Sequence, residues 1–315
     1  MRKKMAIFLA VIIALDVIAL GVIFFTRNSS RPDISADAAP GADPTASTTQ
    51  QELLSKVSFV AVGDNLIHDT IYEQAAARSS GGYDFSYAYE NVAPLIKAPD
   101  VAILNQETII STEHNVSSYP MFNSPVEVGE EMLKIGFDVF NIATNHSLDC
   151  GEKGLISAIN YWKSKNVITT GAYLNSVEQQ KVAVGEVNGV KIAYLGFTES
   201  TNGLSLPKDS EVVLVKASDE TLLQQKIMKA REVADFVIVN AHWGNEYTHE
   251  PTTEQRELAK KLASWGADVI IGTHPHVIQP VEYIENSDGR RTLVARQLHL
   301  RPKQRAENAR RHDKL

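Results

Sequence analysis

The sequence predicts an α/β sandwich standing behind an N-terminal transmembrane helix, and three observations predict it. Residues 5–25 are an almost unbroken apolar run that follows Arg2, Lys3 and Lys4. From Val57 onward, short apolar runs alternate with stretches of helical periodicity. Five of those apolar runs end in a cluster of Asp, Asn, Glu or His, in the manner of strands that feed one crevice.

At 1.5 Å per residue the first run is long enough to cross a hydrocarbon core of about 30 Å. The basic cluster on its amino side predicts an inside N-terminus and an outside C-terminus. Asp16 costs roughly 2.5–3.5 kcal/mol there, which the surrounding Ile, Leu, Val and Phe outweigh. A cleaved signal peptide is the alternative. No small-x-small site follows Phe25 closely and no lipobox cysteine is present, so residues 1–27 read as an uncleaved anchor. Residues 28–55 are mostly Ser, Thr, Ala, Asp and Pro without apolar period, a flexible tether. The expectation is a single-pass protein of the cell membrane with its C-terminal domain outside.

The folded domain spans residues 56–295. VSFVAVG (57–63) is a strand, and LIHDTIYEQAA a helix after it. VAILN (101–105) and FDVFNIAT (137–144) are strands, the second preceded by the helical EVGEEMLKIG. Leu155, Ile159 and Trp162 mark a further helix, followed by VITTGA. VAVGEVNGVKIAYLGF is a hairpin whose Asn188-Gly189 suits a type I′ turn. DFVIVNAHW (235–243) is a buried strand, and a helix then starts at Thr252, where Gln255 completes a capping box. That helix delivers the chain to ADVIIGTHPH.

The net charge of −7 excludes nucleic acid as the main partner, and one cysteine, Cys150, excludes a disulfide framework or a multi-cysteine zinc site. No Gly-x-Ser-x-Gly or Walker-type loop appears, so serine hydrolase and nucleotide-switch readings lack support. The strand ends supply another chemistry. They carry Asp64-Asn65, Asn105-Gln106-Glu107, Asn145-His146 with Asp149, His242 to Glu246, and His274-Pro275-His276. Each has a structural alternative, such as a helix cap at Asp64 or a packed aromatic pair at His242 and Trp243. Together they form a mixed oxygen and nitrogen set that suits Mn, Fe or Zn better than Ca. Asp64, Glu107, Asn145, His242, His274 and His276 are the candidate metal ligands. His146, backed by Asp149, is the candidate acid for a leaving group. His68 and Asp69 lie on the first helix within reach of the site, whereas Cys150 reads as packing.

VGDNLIHD, LNQET, FNIATNHSLDCGEKGL, HWGNEY and PTTEQRELAKKLASWGADVIIGTHPHVIQPVE resemble, in that order, the capsule-synthesis protein CapA family. The resemblance covers about residues 57–294. It implies poly-γ-glutamate-type capsule synthesis and a four-layer α-β-β-α sandwich of the metallophosphoesterase type. It also implies membrane-embedded capsule synthase subunits and an anionic extracellular polymer as partners. Two departures from the phosphoesterase pattern bear on the metal. Leu66 stands where those enzymes carry the histidine of Asp-x-His, and Glu107 follows Asn105 and Gln106 where they carry a bridging aspartate. The expected centre therefore holds one or two divalent ions. Its expected work is hydrolysis or transfer on the polymer, with a non-catalytic polymer-binding or export accessory as the alternative.

After RTLVA, family members usually continue with Tyr-Ser-Leu-Gly-Asn-Phe, whereas residues 296–315 here are basic and nearly devoid of apolar side chains beyond Leu300. Such a block self-repels, and it is expected to be disordered from about Gln297. Its alternative readings are a basic arm for anionic polymer or lipid, and a shifted frame or truncated gene.

Overall fold

The computed structural model describes residues 21–28 and 54–297. Its elements run, in chain order, β1 (Gly21–Asn28), β2 (Leu54–Asp64), α1 (Asp69–Arg78), α2 (Ser86–Tyr89), α3 (Ala93–Lys97), β3 (Val101–Asn105), α4 (Val126–Ile135), β4 (Val139–Asn141), α5 (Gly151–Lys163) and β5 (Ile168–Thr170). They continue with β6 (Ala172–Tyr173), α6 (Ser176–Gln179), β7 (Ala183–Val187), β8 (Val190–Thr198), β9 (Val213–Leu214), α7 (Glu220–Val233), β10 (Phe236–His242), α8 (Thr253–Trp265), β11 (Val269–Thr273), β12 (Val281–Glu285) and β13 (Arg291–Arg296).

Two mixed sheets result. One has the order β1-β2-β3-β4-β5, and the other β12-β13-β11-β10-β8-β7. Strands β2 to β5 are mutually parallel, as are β8, β10, β11 and β13, while β1, β7 and β12 are antiparallel edges. Parallel strands covered on both faces need apolar side chains throughout. Accordingly β3, β4, β10 and β11 are buried at every position.

The core divides into three layers. Between the sheets lie Phe59, Val101, Ile103 and Val139 from one and Ile192, Phe236, Ile238 and Val269 from the other, with no helical residue among them. The outer face of the first sheet packs on Ile71, Met132, Leu155 and Trp162 from α1, α4 and α5. The outer face of the second packs on Leu223, Ile227, Ala259 and Leu262 from α7 and α8. The order is therefore helix, sheet, sheet, helix. Local signals agree with it. Asn188 and Gly189 both have positive φ in the β7–β8 turn, and the Thr252–Gln255 capping box opens α8.

Two expectations are corrected at the N-terminus. The apolar run that predicts a helix through Phe25 gives instead, at Gly21–Asn28, a strand paired antiparallel with β2. Its run of Val, Ile, Phe and Phe suits a pleated strand as well as an apolar helix, and β2 offers it an edge. The chain also joins the sheet at Leu54, before the end of the stretch taken as tether. The remainder of the anchor and of the tether lies outside the described residues. Among the described residues no helix is long and apolar enough to cross a membrane.

At their carboxyl ends the two sheets meet through polar side chains. Gly196 in β8 makes this possible, because a Cβ there would sit 2.1 Å from Asn141 Oδ1 and 2.6 Å from Thr170 Oγ1. Asn141 in turn donates from Nδ2 to Asn105 Oδ1 at 2.7 Å. Gly196→Ala is therefore expected to cost about 1–3 kcal/mol by overpacking. Gly81→Ala, with nothing within 4 Å of the new carbon, should change stability by less than about 0.5 kcal/mol. Urea unfolding of the two variants checks the pair, and equal midpoints would refute this account of the interface.

Candidate metal centre at the strand ends

Asp64 closes β2, and a register shift between Val62 and Asp64 sets its side chain inward beside Asn105. The carboxylate is fully buried and fully engaged. Oδ1 accepts from Asn105 Nδ2 at 2.8 Å. Oδ2 accepts from the His274 backbone N–H at 3.1 Å and from Gln297 Nε2 at 2.9 Å, and it lies 3.1 Å from His276 Nδ1. Burial alone raises its pKa. The hydrogen bond from His276, the charges of His242 and His276 and the Gln297 amide outweigh that and hold it well below the usual carboxylate range.

Glu107, two residues beyond β3, is the opposite case. It is 1% exposed, and neither carboxylate oxygen has a hydrogen-bond partner. Oε1 lies 3.8 Å from His242 Nε2 and 3.6 Å from His276 Nε2. Burial first, then the negative charges of Asp64, Glu246 and Asp149, push its pKa well above the ordinary value. A buried carboxyl group with no donor is costly, so it points to a positive partner. Ligand atoms of Glu107, His274 and His276 all lie within 4.8 Å of one another.

His242 ends β10. Its Nδ1 is 2.9 Å from Thr273 Oγ1 and 3.2 Å from Asn105 Nδ2, and its Nε2 is 2.9 Å from Asn145 Oδ1. Burial, then repulsion from His274, holds its pKa well below the usual histidine value. His274 is also held low, by burial above all. Burial thus favours the neutral form of both rings, the form that binds metal. His274 and His276 occupy positive φ, +98° and +56°, which costs about 1–3 kcal/mol each. The turn is held by His274 N–H on Asp64 and by the Tyr247 N–H donating to the Pro275 carbonyl at 2.7 Å.

His146 stands beside this group with its Nδ1 2.7 Å from Asp149 Oδ2, which also accepts the Phe122 backbone N–H at 2.7 Å. A carboxylate accepts, so the His146 proton sits on Nδ1 and Nε2 is left to exchange one. The Phe122 ring lies edge-on between His146 at 4.7 Å and His68 at 5.1 Å. His68 thus does approach the site from the start of α1. Burial pushes the Cys150 thiol up to about 11, which disfavours the thiolate that a nucleophile needs.

All six residues expected to hold metal, with His146 and Asp149 alongside, are brought to the end of the sandwich where both sheets deliver their carboxyl ends. Of these, Asn145, His242 and His274 line a cleft of about 300 Å³, together with Glu199, Ser200, Gly244 and Asn245. The buried, unpartnered Glu107 carboxylate amid neutral imidazoles fits a divalent ion. Four residues were missed from sequence: Asn141, Glu199, Thr273 and Gln297. Glu199 follows β8 directly, so the strand-end rule that found the others would have found it. Gln297 corrects the tail expectation. It is fully buried and bonds Asp64 through its side chain and Gly272 O through its backbone N–H, and Arg296 before it pairs with β11. The tail beyond 297 lies outside the described residues.

Comparison with known proteins bears on this arrangement. The chain is 32% identical over 256 residues to the PGA biosynthesis protein CapA of Bacillus subtilis (strain 168), covering 78% of this chain and 63% of that protein. It is 32% identical over 234 residues to the capsule biosynthesis protein CapA of Bacillus anthracis, covering 71% and 55%. It thus spans little more than half the length of these relatives. Among solved structures, a putative 5′-nucleotidase from Staphylococcus aureus superposes with a TM-score of 0.47 at 16% identity, covering 76% of this chain and 48% of that one. The profile described as bacterial capsule synthesis protein PGA_cap matches residues 58–295, from β2 to the end of β13. That span takes in every residue of the candidate centre except Gln297, and on it and the CapA identities the chain belongs to the bacterial capsule synthesis protein family PGA_cap.

Proposed function

We propose that this chain is a membrane-held, extracellular member of its family that acts on a capsule polymer of the poly-γ-glutamate type as a metal-dependent hydrolase or transferase. The observation that carries the reading is Glu107, buried with both oxygens unpartnered against His242 and His276. The centre is read as metallophosphoesterase-like, with one or two ions. Asp64, Glu107, Asn145, His242, His274 and His276 would hold the metal. A Mn, Fe or Zn ion supplies Lewis acidity toward a carbonyl or phosphoryl oxygen. Asn105 and Gln297 orient Asp64, and Thr273 fixes the His242 ring. His146, its Nδ1–H held by Asp149, would act as the imidazolium, passing its Nε2 proton to the leaving group and returning to the neutral ring. Membrane-embedded synthase subunits and the growing anionic polymer are the proposed partners. The basic residues 2–4 and the apolar residues 5–20 that precede β1 support the membrane location.

Three outcomes test this. His274→Ala should lower bound metal, measured by elemental analysis, with little loss of folding, since the residue lies in a loop. His146→Ala should keep the metal and lower turnover of a γ-glutamate polymer by about 10²-fold or more. Full metal content in His274→Ala would defeat the metal reading, and unchanged turnover in His146→Ala would favour an accessory that only grips the polymer.

Glu107 gives a test through stability. Its folded pKa is raised above the ordinary value of 4.5, so over that window the folded state holds a proton that the unfolded state releases. Stability without metal therefore falls as pH rises through the window. In chelator at pH 7, Glu107→Gln is expected to melt above the parent, and the gap should close as pH falls below 4.5. Added Mn or Zn should raise the melting point of the parent and leave the variant behind. A lower melting point for the variant in chelator would refute the assignment. Deletion of residues 1–20 is expected to move the protein from the membrane pellet to the soluble fraction, and persistence in the pellet would refute the anchor.

A further inference from the structure

On the helix side of the second sheet an arginine is buried with donors to spare. Arg296 ends β13 and is 0% exposed. Its Nη2 donates to Glu282 Oε1 in β12, but its Nε and Nη1 have no hydrogen-bond partner among the described residues. Trp243, which follows β10, is 2% exposed, and its indole Nε1 has no partner among them either.

Strand alternation puts these donors on one face. Trp243 and Val294 pack in the layer beneath α7 and α8, and Arg296 stands two residues past Val294. Glu282 lies opposite Val294 in the β12–β13 pair. Gly272 of β11 is the register partner of Arg296. A Cβ at Gly272 would lie 2.9 Å from Trp243 Nε1 and 3.2 Å from Arg296 Cα, so both residues border the same bare stretch of strand.

A guanidinium keeps its charge in proteins, and burying it with unmade hydrogen bonds is costly. Glu282 answers only part of that charge, because its side chain is 37% exposed and water screens the pair. A water molecule beside these donors would accept some of their hydrogens and would then have to place its own. An anion accepts them all and balances the charge, through charge-assisted bonds from the guanidinium. Since both side chains are buried, that anion has to be small.

We infer that Arg296 and Trp243 form a seat for a small inorganic anion such as chloride, held by the guanidinium and the indole N–H. The seat does not depend on the metal, yet it lies behind the strand ends that carry the centre. Gln297, next to Arg296, bonds Asp64, and His242, next to Trp243, is 2.9 Å from Asn145. A bound anion therefore braces β10, β11 and β13 from the helix side.

Thermal melting of the full chain in chelator tests this, with sodium chloride set against sodium gluconate, whose anion is too large for a buried seat. At chloride tenfold above its dissociation constant, the parent is expected to melt about 3 °C higher than in gluconate. Arg296→Met fills the same layer without donors and should lose that gap. Trp243→Phe keeps an aromatic ring against Phe197 and should lose at least half of it. Crystals of the parent soaked in bromide should show an anomalous peak beside Arg296 and Trp243. If Arg296→Met does not fold, Trp243→Phe and the bromide peak decide. Equal melting of the parent in the two salts, a gap that survives either substitution in full, or the absence of a bromide peak would overturn the inference.

Discussion

The Asp64 carboxylate fastens one sheet to the other at their polar end, and the candidate centre depends on that attachment. It leaves β2 in the first sheet and accepts from His274 and Gln297, both of which follow strands of the second. Behind it runs a line of amides in which Asn141 donates to Asn105 and Asn105 donates to Asp64. Each amide donor along this line has its acceptor where the apolar layer between the sheets stops. Because the line has no slack, the positions of His242, His274 and His276 follow from it. The same line requires Gly196, since any side chain there would enter the space of Asn141.

Two neighbouring carboxylates repel each other as anions, and the surroundings of each decide which one keeps a proton. Asp64 sits among donors and stays ionised. Glu107 sits among groups that offer it nothing, and its burial favours the proton. Such a pair suits a cation: one group is held in its anionic form, and the other lacks the positive partner that its burial calls for. The strained turn through His274 and His276 belongs to the same arrangement. Left-handed backbone at two histidines is tolerated because Asp64 and Tyr247 hold the loop from either side.

Much of this was legible in the residues. Parallel strands covered on both faces must be apolar along their length, so VAILN, FVIVNAH and VIIGT announce themselves and their polar ends stand out. Asn188-Gly189 and Thr252 with Gln255 carry local geometry that needs no tertiary context. Other parts depend on contacts that periodicity does not encode. An apolar run such as GVIFFTRN serves equally as membrane helix or as edge strand, and the free side of β2 decides between them. Gln297 sits at the head of a basic, polar segment, and composition averaged over that segment conceals one side chain bonded to Asp64. Glu199 looks like an ordinary surface residue until Gly244 is seen donating to it. The individual partners of each histidine likewise come from the crossing of two sheets.

The site has two limbs of different character, and the difference follows from the helices that flank them. On one side Phe122 stands between His68 and His146, and Asp149 secures both the His146 ring and the Phe122 backbone. Burial lowers the His68 pKa there, so this limb is apolar in its packing and suited to moving a proton. On the other side the wall is Glu199, Ser200, Gly244 and Asn245, polar and without a cation. A group lying across the centre would meet proton-transfer machinery at one end and hydrogen-bond acceptors at the other. One side carries the Glu199 carboxylate and the other imidazole and phenyl rings, so the two ends of a group lying between them are not equivalent.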